Sequence, residues 1–440
     1  MTDDSKTQPL DMPAVHPGGS GLIQVALVGS GGRGGGAVLN AAATAGGPVK
    51  LVAMADAYGD RLEETYNNLA EHAADSIDVP EDRRFTGFDA YRHAMDCLRP
   101  GDVVILTTPP AFRWVHFRYA ISKKLNVFME KPATVDGPTS KRMLELAEES
   151  VAANLKVCVG LMSRHARNLQ ELHDRIQNGE LGEITLMRGY RMHGPGGFFE
   201  SPPNPGDVSD LEYQLRRFHS FLWASGGCFS DFYIHQIDHL CWMKEALPVT
   251  AQALGGRHFR QSRDGTISVD QNFDIYSVEY TFADGTKFLF DGRSIQGAAN
   301  IYSSYVHGTK GMAIAARQYD CNGPSSIYRG HNPVPDKVLW RSEDSSNPYQ
   351  NEWDALISAV REDRPFNEAK VGVEASLVTS LGRMAAHTGQ IVSYEEMLNC
   401  DHEFAPGLDT LTADSPAPLQ PDEDGRYPVP HPGAIPTREY

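Results

Sequence analysis

No run of lysines and arginines occurs in the 440 residues, and the formal net charge is −17. Nucleic acid and anionic membrane both demand basic patches, so neither is an expected partner. No apolar stretch approaches the roughly 18–20 residues of a membrane helix. The start of the chain, Met1 to Gly21, is polar and acidic, without the charged-then-apolar pattern of a secretory signal. A cytoplasmic protein is the expectation. Cysteine is sparse and scattered: Cys97, Cys158, Cys228, Cys241, Cys321 and Cys400 include no CxxC pair. Neither a disulfide framework nor a zinc ribbon is indicated, and no metal is expected. No internal repeat stands out. What is present is ordinary globular composition, 41% hydrophobic and 22% charged, in a chain long enough for two domains.

Short apolar runs punctuate the first part: 23–28, 49–55, 102–107, 126–129 and 156–161. Helical patterns lie between them at about 35–45, 60–72, 112–124 and 137–153. This alternation predicts a doubly wound parallel sheet over 21–162. The pattern then changes. Helix 166–178 and strand 183–192 precede a long Gly/Pro-rich loop, 193–217, and a helix at 226–245. Residues 249–320 read as several strands with hairpin signals at Ala283-Asp284-Gly285-Thr286 and Gly308-Thr309-Lys310-Gly311. Helices at 350–362 and 371–387 follow. The second unit, 163–400, is therefore expected to carry a mostly antiparallel sheet. Residues 1–20 read as a tail. The Pro- and Asp-rich 401–440 reads as an extended arm, flexible or laid on a neighbouring surface.

Two places carry chemistry on the first sheet. Gly29-Ser30-Gly31-Gly32-Arg33-Gly34 fits G-x-G-x-x-G, directly after a strand and opening a helix. The first glycine permits the tight turn, the second lets a pyrophosphate approach, and the third allows close helix–strand packing. Asp56, about 20 positions on, ends the second strand, where it can accept from ribose hydroxyls. A carboxylate there favours NAD over NADP, although Arg33 and Arg61 soften that preference; the bland reading of Asp56 is a strand-end cap. No Lys-Ser/Thr follows the loop, which argues against an NTPase. The other place is Glu130-Lys131-Pro132, directly after the run Val127-Phe128-Met129. It puts a lysine at the end of a parallel strand, where open α/β sheets bind ligands.

A third cluster lies on the helix starting at Gly226-Gly227. Asp231 and His235 are one turn apart, with Asp238 and His239 close behind. A histidine beside a carboxylate titrates near neutral pH and serves as a general base. Lys131 would lower a hydroxyl's pKa or hold the emerging carbonyl oxygen. Two duller readings stay open: satisfied core histidines, and a zinc site from Cys228, His235 and His239, which lacks a convincing ligand set.

Taken together these residues resemble the Gfo/Idh/MocA family of oxidoreductases over about residues 22–395. Further carriers are Thr108-Pro109-Pro110 with His116, and Asn178-Gly179-Glu180-Leu181-Gly182-Glu183-Ile184. One departure is Lys123-Lys124-Leu125-Asn126-Val127, where the family usually has Ala-Gly-Lys-His-Val. The resemblance implies a Rossmann domain followed by an α+β domain with a large open sheet, often used for oligomerisation, here a dimer or tetramer. It also implies that Lys131, Asp231 and His235 are catalytic. Gly29, Ser30, Gly31, Gly32, Arg33, Gly34, Asp56, Thr108, Pro109, His116 and Glu130 would contact the nucleotide.

Arg164, Arg191, His193, Tyr213 and Arg216, on or near the long loop, are candidate substrate contacts, and an arginine cluster would suit an acidic sugar. The expected activity is NAD-dependent oxidation of a secondary hydroxyl of a sugar, sugar acid or cyclitol. An alternative is an enzyme that retains NAD and cleaves or modifies a glycoside through a transient keto sugar. A third reading is a non-enzymatic NAD-dependent sensor.

Overall fold

The computed structural model describes residues 21–440 except 198, 258–264, 318–322 and 344–345. The tail 1–20 and Cys321 lie outside the described residues. The first sheet is built from β1 (Ile23–Val28), β2 (Val49–Asp56), β3 (Arg84–Thr86), β4 (Val103–Leu106), β5 (Asn126–Met129) and β6 (Val157–Val159). Its order is β3-β2-β1-β4-β5-β6, and all its pairings are parallel. Every residue of β4, β5 and β6 is buried. That is why these strands are continuous apolar runs and not alternating ones: helices cover both faces. The helices are α1 (Gly32–Ala42), α2 (Gly59–His72), α3 (Ala90–Asp96), α4 (Arg113–Ser122) and α5 (Gly137–Ala152). The short elements β3 and α3 have no sequence period to announce them.

The second sheet has nine strands. In chain order they are β7 (Ile184–His193), β8 (Thr250–Gly256), β9 (Ile275–Thr281), β10 (Lys287–Ser294), β11 (Ile301–Gly308), β12 (Gly311–Arg317), β13 (Ser326–Arg329), β14 (Val338–Arg341) and β15 (Val392–Ser393). They stand in the order β14-β13-β12-β11-β7-β10-β9-β8-β15, and only β7 and β10 run parallel. The inward face of β9, Tyr276, Val278 and Tyr280, is buried, and both expected hairpins are present. Helices α6 (Arg167–Gln177), α7 (Asp210–Arg216), α8 (Leu222–Ser225), α9 (Gly227–Lys244), α10 (Pro348–Glu362), α11 (Ala369–Thr388) and α12 (Tyr394–Leu398) complete the chain.

Two details differ from the sequence expectation. The long loop contains α7, capped where the Ser209 hydroxyl accepts from Glu212 N. Helix α10, although it follows the second sheet, packs on the first: Trp353, Leu356, Ile357 and Val360 share a core with β1, β2 and β4. Ring stacking of Trp353 on Phe128 of β5, at 4.6 Å, seals that contact.

Candidate active site

A cleft of about 1640 Å³ opens at the carboxyl ends of the first sheet, between it and helix α9. One wall is the glycine loop. Gly29 has φ +99°, and a Cβ there would lie 2.5 Å from Thr108 N. A Cβ on Gly34 would lie 2.3 Å from Gly29 O, so helix and strand meet backbone to backbone. Gly31 and Gly32, by contrast, have nothing within 4 Å of a built Cβ. The first turn of α1 has no side-chain cap and no acidic residue. Its free N–H groups therefore suit an anion. Asp56 accepts from Ser30 N at 2.7 Å and Tyr58 N at 3.0 Å, and burial pushes its carboxyl pKa up. Arg33 and Arg61 both have protein partners. Arg33 bonds Glu130 at 2.5 Å and Glu352 at 3.4 Å, and Arg61 donates to Arg216 O at 3.0 Å. Thr108 Oγ1 pairs with His116 Nδ1 at 3.1 Å, and burial pushes His116 down to about 3.

At the other end of the cleft, Lys131 Nζ donates to Asp231 O at 2.5 Å and to Asp231 Oδ1 at 3.2 Å. The Lys131–Pro132 bond is cis. The second carboxylate oxygen of Asp231 meets His219 Nε2 at 3.3 Å. Burial raises the Asp231 pKa, but the Lys131 charge and His219 outweigh it and hold the group well below the carboxylate range. His235 lines the cleft one turn beyond Asp231. Its Nδ1 is buried with no hydrogen-bond partner among the described residues. Burial, with Lys131 and Arg191 adding to it, holds this imidazole well below its ordinary pKa. It is a neutral ring at neutral pH. Asp231 works in the other direction and raises the ring's pKa, but desolvation is the larger effect, and the carboxylate's own contacts go to Lys131 and His219.

Helix α9 starts where it does because Gly226 and Gly227 take φ +72° and +73°. A Cβ on Gly226 would strike Ser230 at 2.9 Å. Asn272 Oδ1 then accepts from Cys228 N at 2.8 Å, and Arg383 Nη1 bonds Gly226 O and Ser230 Oγ. The helix beginning is clamped from two sides, one turn before Asp231.

The fold does not bring all the anticipated residues together. Arg164 makes a bidentate pair with Asp238, and Arg216 is held by Asp60 and Glu212. The Tyr213 hydroxyl donates to Pro202 O. None of the three lines the cleft. An arginine cluster for an acidic sugar does not form, because two of its members carry acids of their own. Arg191 stacks over Tyr302 at 4.6 Å, and His193 packs on Phe232; neither lines the cleft. Cys228, His235 and His239 do not come together as a group of metal-type donors among the described residues. Among the described residues the only grouping of metal-type donors is Cys158, His165 and Glu368, and there His165 Nε2 already bonds Glu368 at 2.9 Å. Sequence reading missed His219, which lies 12 positions before Asp231 with no helical spacing to connect them. It also missed the part of the cleft wall formed by residues 408–414.

Residues 23–161 match a family model described as an oxidoreductase family with NAD-binding Rossmann fold, and residues 169–314 match the GFO/IDH/MocA C-terminal domain. The chain belongs to the Gfo/Idh/MocA oxidoreductase family. A curated relative, the rhizopine catabolism protein MocA of Rhizobium meliloti, is 24% identical over 159 residues, 36% of this chain and 43% of that protein. Inositol 2-dehydrogenase of Corynebacterium glutamicum is 30% identical over 123 residues, 28% of this chain and 34% of that protein. The chain thus spans less than half the length of these curated relatives. Solved structures share this fold over most of the chain. Levoglucosan dehydrogenase in complex with NADH and levoglucosan superposes with TM-score 0.63 at 16% identity, covering 85% of this chain and 100% of that one. Myo-inositol 2-dehydrogenase from Lactobacillus plantarum gives 0.61 at 21% identity, covering 85% and 99%. As in the sequence expectation, no helix among the described residues is long and apolar enough to cross a membrane.

Proposed function

We propose that this oxidoreductase is an NAD-dependent dehydrogenase acting on a secondary hydroxyl of a sugar, sugar acid or cyclitol. The observation that carries the reading is one cleft with two unlike ends. At one end is the glycine loop, and at the other the Lys131–Asp231–His219 chain stands beside His235. The residues present fit a dinucleotide: Gly31 and Gly32 leave open room before an uncapped helix start. Gly29–Gly34 would hold the pyrophosphate and Asp56 the adenosine ribose. With Arg33 paired to Glu130 and Asp56 in place, NAD is favoured over NADP. A dinucleotide bound there would supply the hydride acceptor for the oxidation.

The protein side of the reaction concerns the proton. His235, kept neutral by burial, takes the hydroxyl proton at a ring nitrogen. Lys131 Nζ, mostly buried beside Asp231, donates to the oxygen as it becomes a carbonyl. Asp231 fixes that ammonium in place, and His219 fixes Asp231. Phe218 and Phe232 line the same end of the cleft and offer apolar faces to a sugar ring. Inositol 2-dehydrogenase and levoglucosan dehydrogenase among the relatives and neighbours support a polyol or sugar as substrate. Association into a dimer or tetramer belongs to the same proposal.

NADH formation across a panel of sugars, sugar acids and inositols is the test. Replacing Lys131 by Met should lower turnover about 10³-fold, within the range of a positioned acid–base group, while NADH still binds. Near-wild-type turnover in that variant would remove this lysine from the mechanism.

A further inference from the structure

Residues 401–440 lie outside both family matches, which end at residues 161 and 314. In the structure this arm is laid over the rest of its own chain and is anchored near both ends. At the near end, Arg142 holds Glu403 through two bonds of 2.6 and 2.7 Å, and Phe404 N donates to Asp136 at 2.9 Å. At the far end, Glu439 is 3% exposed. It accepts from Arg383 at 2.8 Å and pairs with His387 Nδ1 at 2.6 Å. The same Arg383 clamps the start of α9, so the far anchor is bonded to the helix that carries Asp231 and His235. The two ends also meet. The Tyr440 ring lies 5.2 Å from Phe404 and 5.1 Å from His402.

Between these anchors the arm forms part of the cleft wall. Residues 408–414 line the cleft, and 408–410 pack beside Pro110–Phe112. This stretch is held far more lightly than its ends. Leu408 is buried, but 410 and 412–414 are exposed. The ion pair Asp409–Arg118, at 3.2 Å, joins side chains that are 32% and 52% exposed. Such a pair contributes only about 0–1 kcal/mol. Gly407, with φ +79°, stands just before the stretch, a backbone position that glycine turns through freely.

We propose that residues 408–414 are a gate of the nucleotide site: they cover a bound dinucleotide and must swing aside for it to exchange. A lightly held stretch between firm anchors is what a gate requires, and 408–414 lies between Phe404 N on Asp136 and Leu419 O, which accepts from Gln214 Nε2 at 2.8 Å. The inference rests on the nucleotide reading above, and the two can fail separately.

The experiment uses the full chain with NADH as the probe. Backbone amide exchange across 408–414 is compared with and without NADH, and NADH release is followed by rapid-mixing fluorescence. Bound NADH should slow exchange across this stretch. Asp409→Ala combined with Leu411→Ala should speed release about tenfold with the melting temperature unchanged. Should that double variant unfold, Asp409→Ala alone, at an exposed pair, should still speed release severalfold. If NADH binds but leaves these amides unchanged, or leaves at the wild-type rate from a folded variant, the gate is overturned. If NADH does not bind the wild-type protein, the nucleotide reading falls and the gate with it.

Discussion

The two ends of the cleft are built on opposite plans. The nucleotide end is local: Gly29 to Gly34 is one strand-to-helix turn, and Asp56 terminates the adjoining strand. Its shape comes from backbone, with side chains removed where a ligand or a neighbouring strand must approach. The proposed substrate end is assembled from afar. Lys131 comes from the end of β5, Asp231 and His235 from α9, and His219 from the turn before α8. Its shape comes from side chains whose charges satisfy one another. A local site tolerates little change in backbone volume, whereas an assembled one depends on whatever holds its pieces in register.

The largest effect expected from this contrast lies outside both ends. Glu439 touches no cleft residue, yet it neutralises Arg383, which clamps the start of α9. Glu439→Ala would strand a fully buried guanidinium and should cost about 3–5 kcal/mol in a denaturation experiment. A loss below about 1 kcal/mol would mean that the substrate end does not depend on this anchor.

Gly34→Ala and Gly31→Ala sharpen the nucleotide side. The former drives a methyl into Gly29 O, 2.3 Å away, and should destabilise the fold by about 1–3 kcal/mol. The latter has open space around it and should leave melting unchanged while weakening NADH binding. Equal effects on melting would erase the distinction between a packing glycine and a ligand-facing one.

Acid should strain the buried imidazoles at both ends. His116 and His239 are pushed down to about 3 by burial, and His235 is held low as well. Around neutral pH these rings are uncharged in both folded and unfolded chains. Below about 6.5 the unfolded chain takes up protons that the folded one refuses, so stability should fall as pH drops through that range. A melting temperature flat from pH 7 to about pH 5 would contradict this.

His219→Gln should have the smallest effect. It removes a partner at 3.3 Å from Asp231 but leaves the shorter Lys131 contacts in place. A turnover loss of about tenfold with NADH affinity intact is expected, as for loss of one modest hydrogen bond. Unchanged turnover would confine the substrate end to the three residues visible in sequence.

Legibility followed the same divide. The parallel sheet, the hairpins and the glycine loop announce themselves because apolar runs, turn residues and glycine spacing act over a few neighbouring positions. Lys131 was legible as a charge at a strand end, and Asp231 with His235 as a helix pair. What adjacency on α9 did not disclose is that the Asp231 carboxylate also pairs with Lys131 and His219. Arg164 and Arg216 looked available on a loop until the fold supplied Asp238 and Asp60.

By itself, then, the order of residues determined the two sheets, the nucleotide turn and the identity of three chemical groups, since each depends on short-range backbone preference and hydrophobic period. Only the tertiary structure decided which charges meet and which are used up, and that 408–414 stand in the cleft wall. Those outcomes depend on distance and burial between residues far apart in the chain, and no local pattern encodes either.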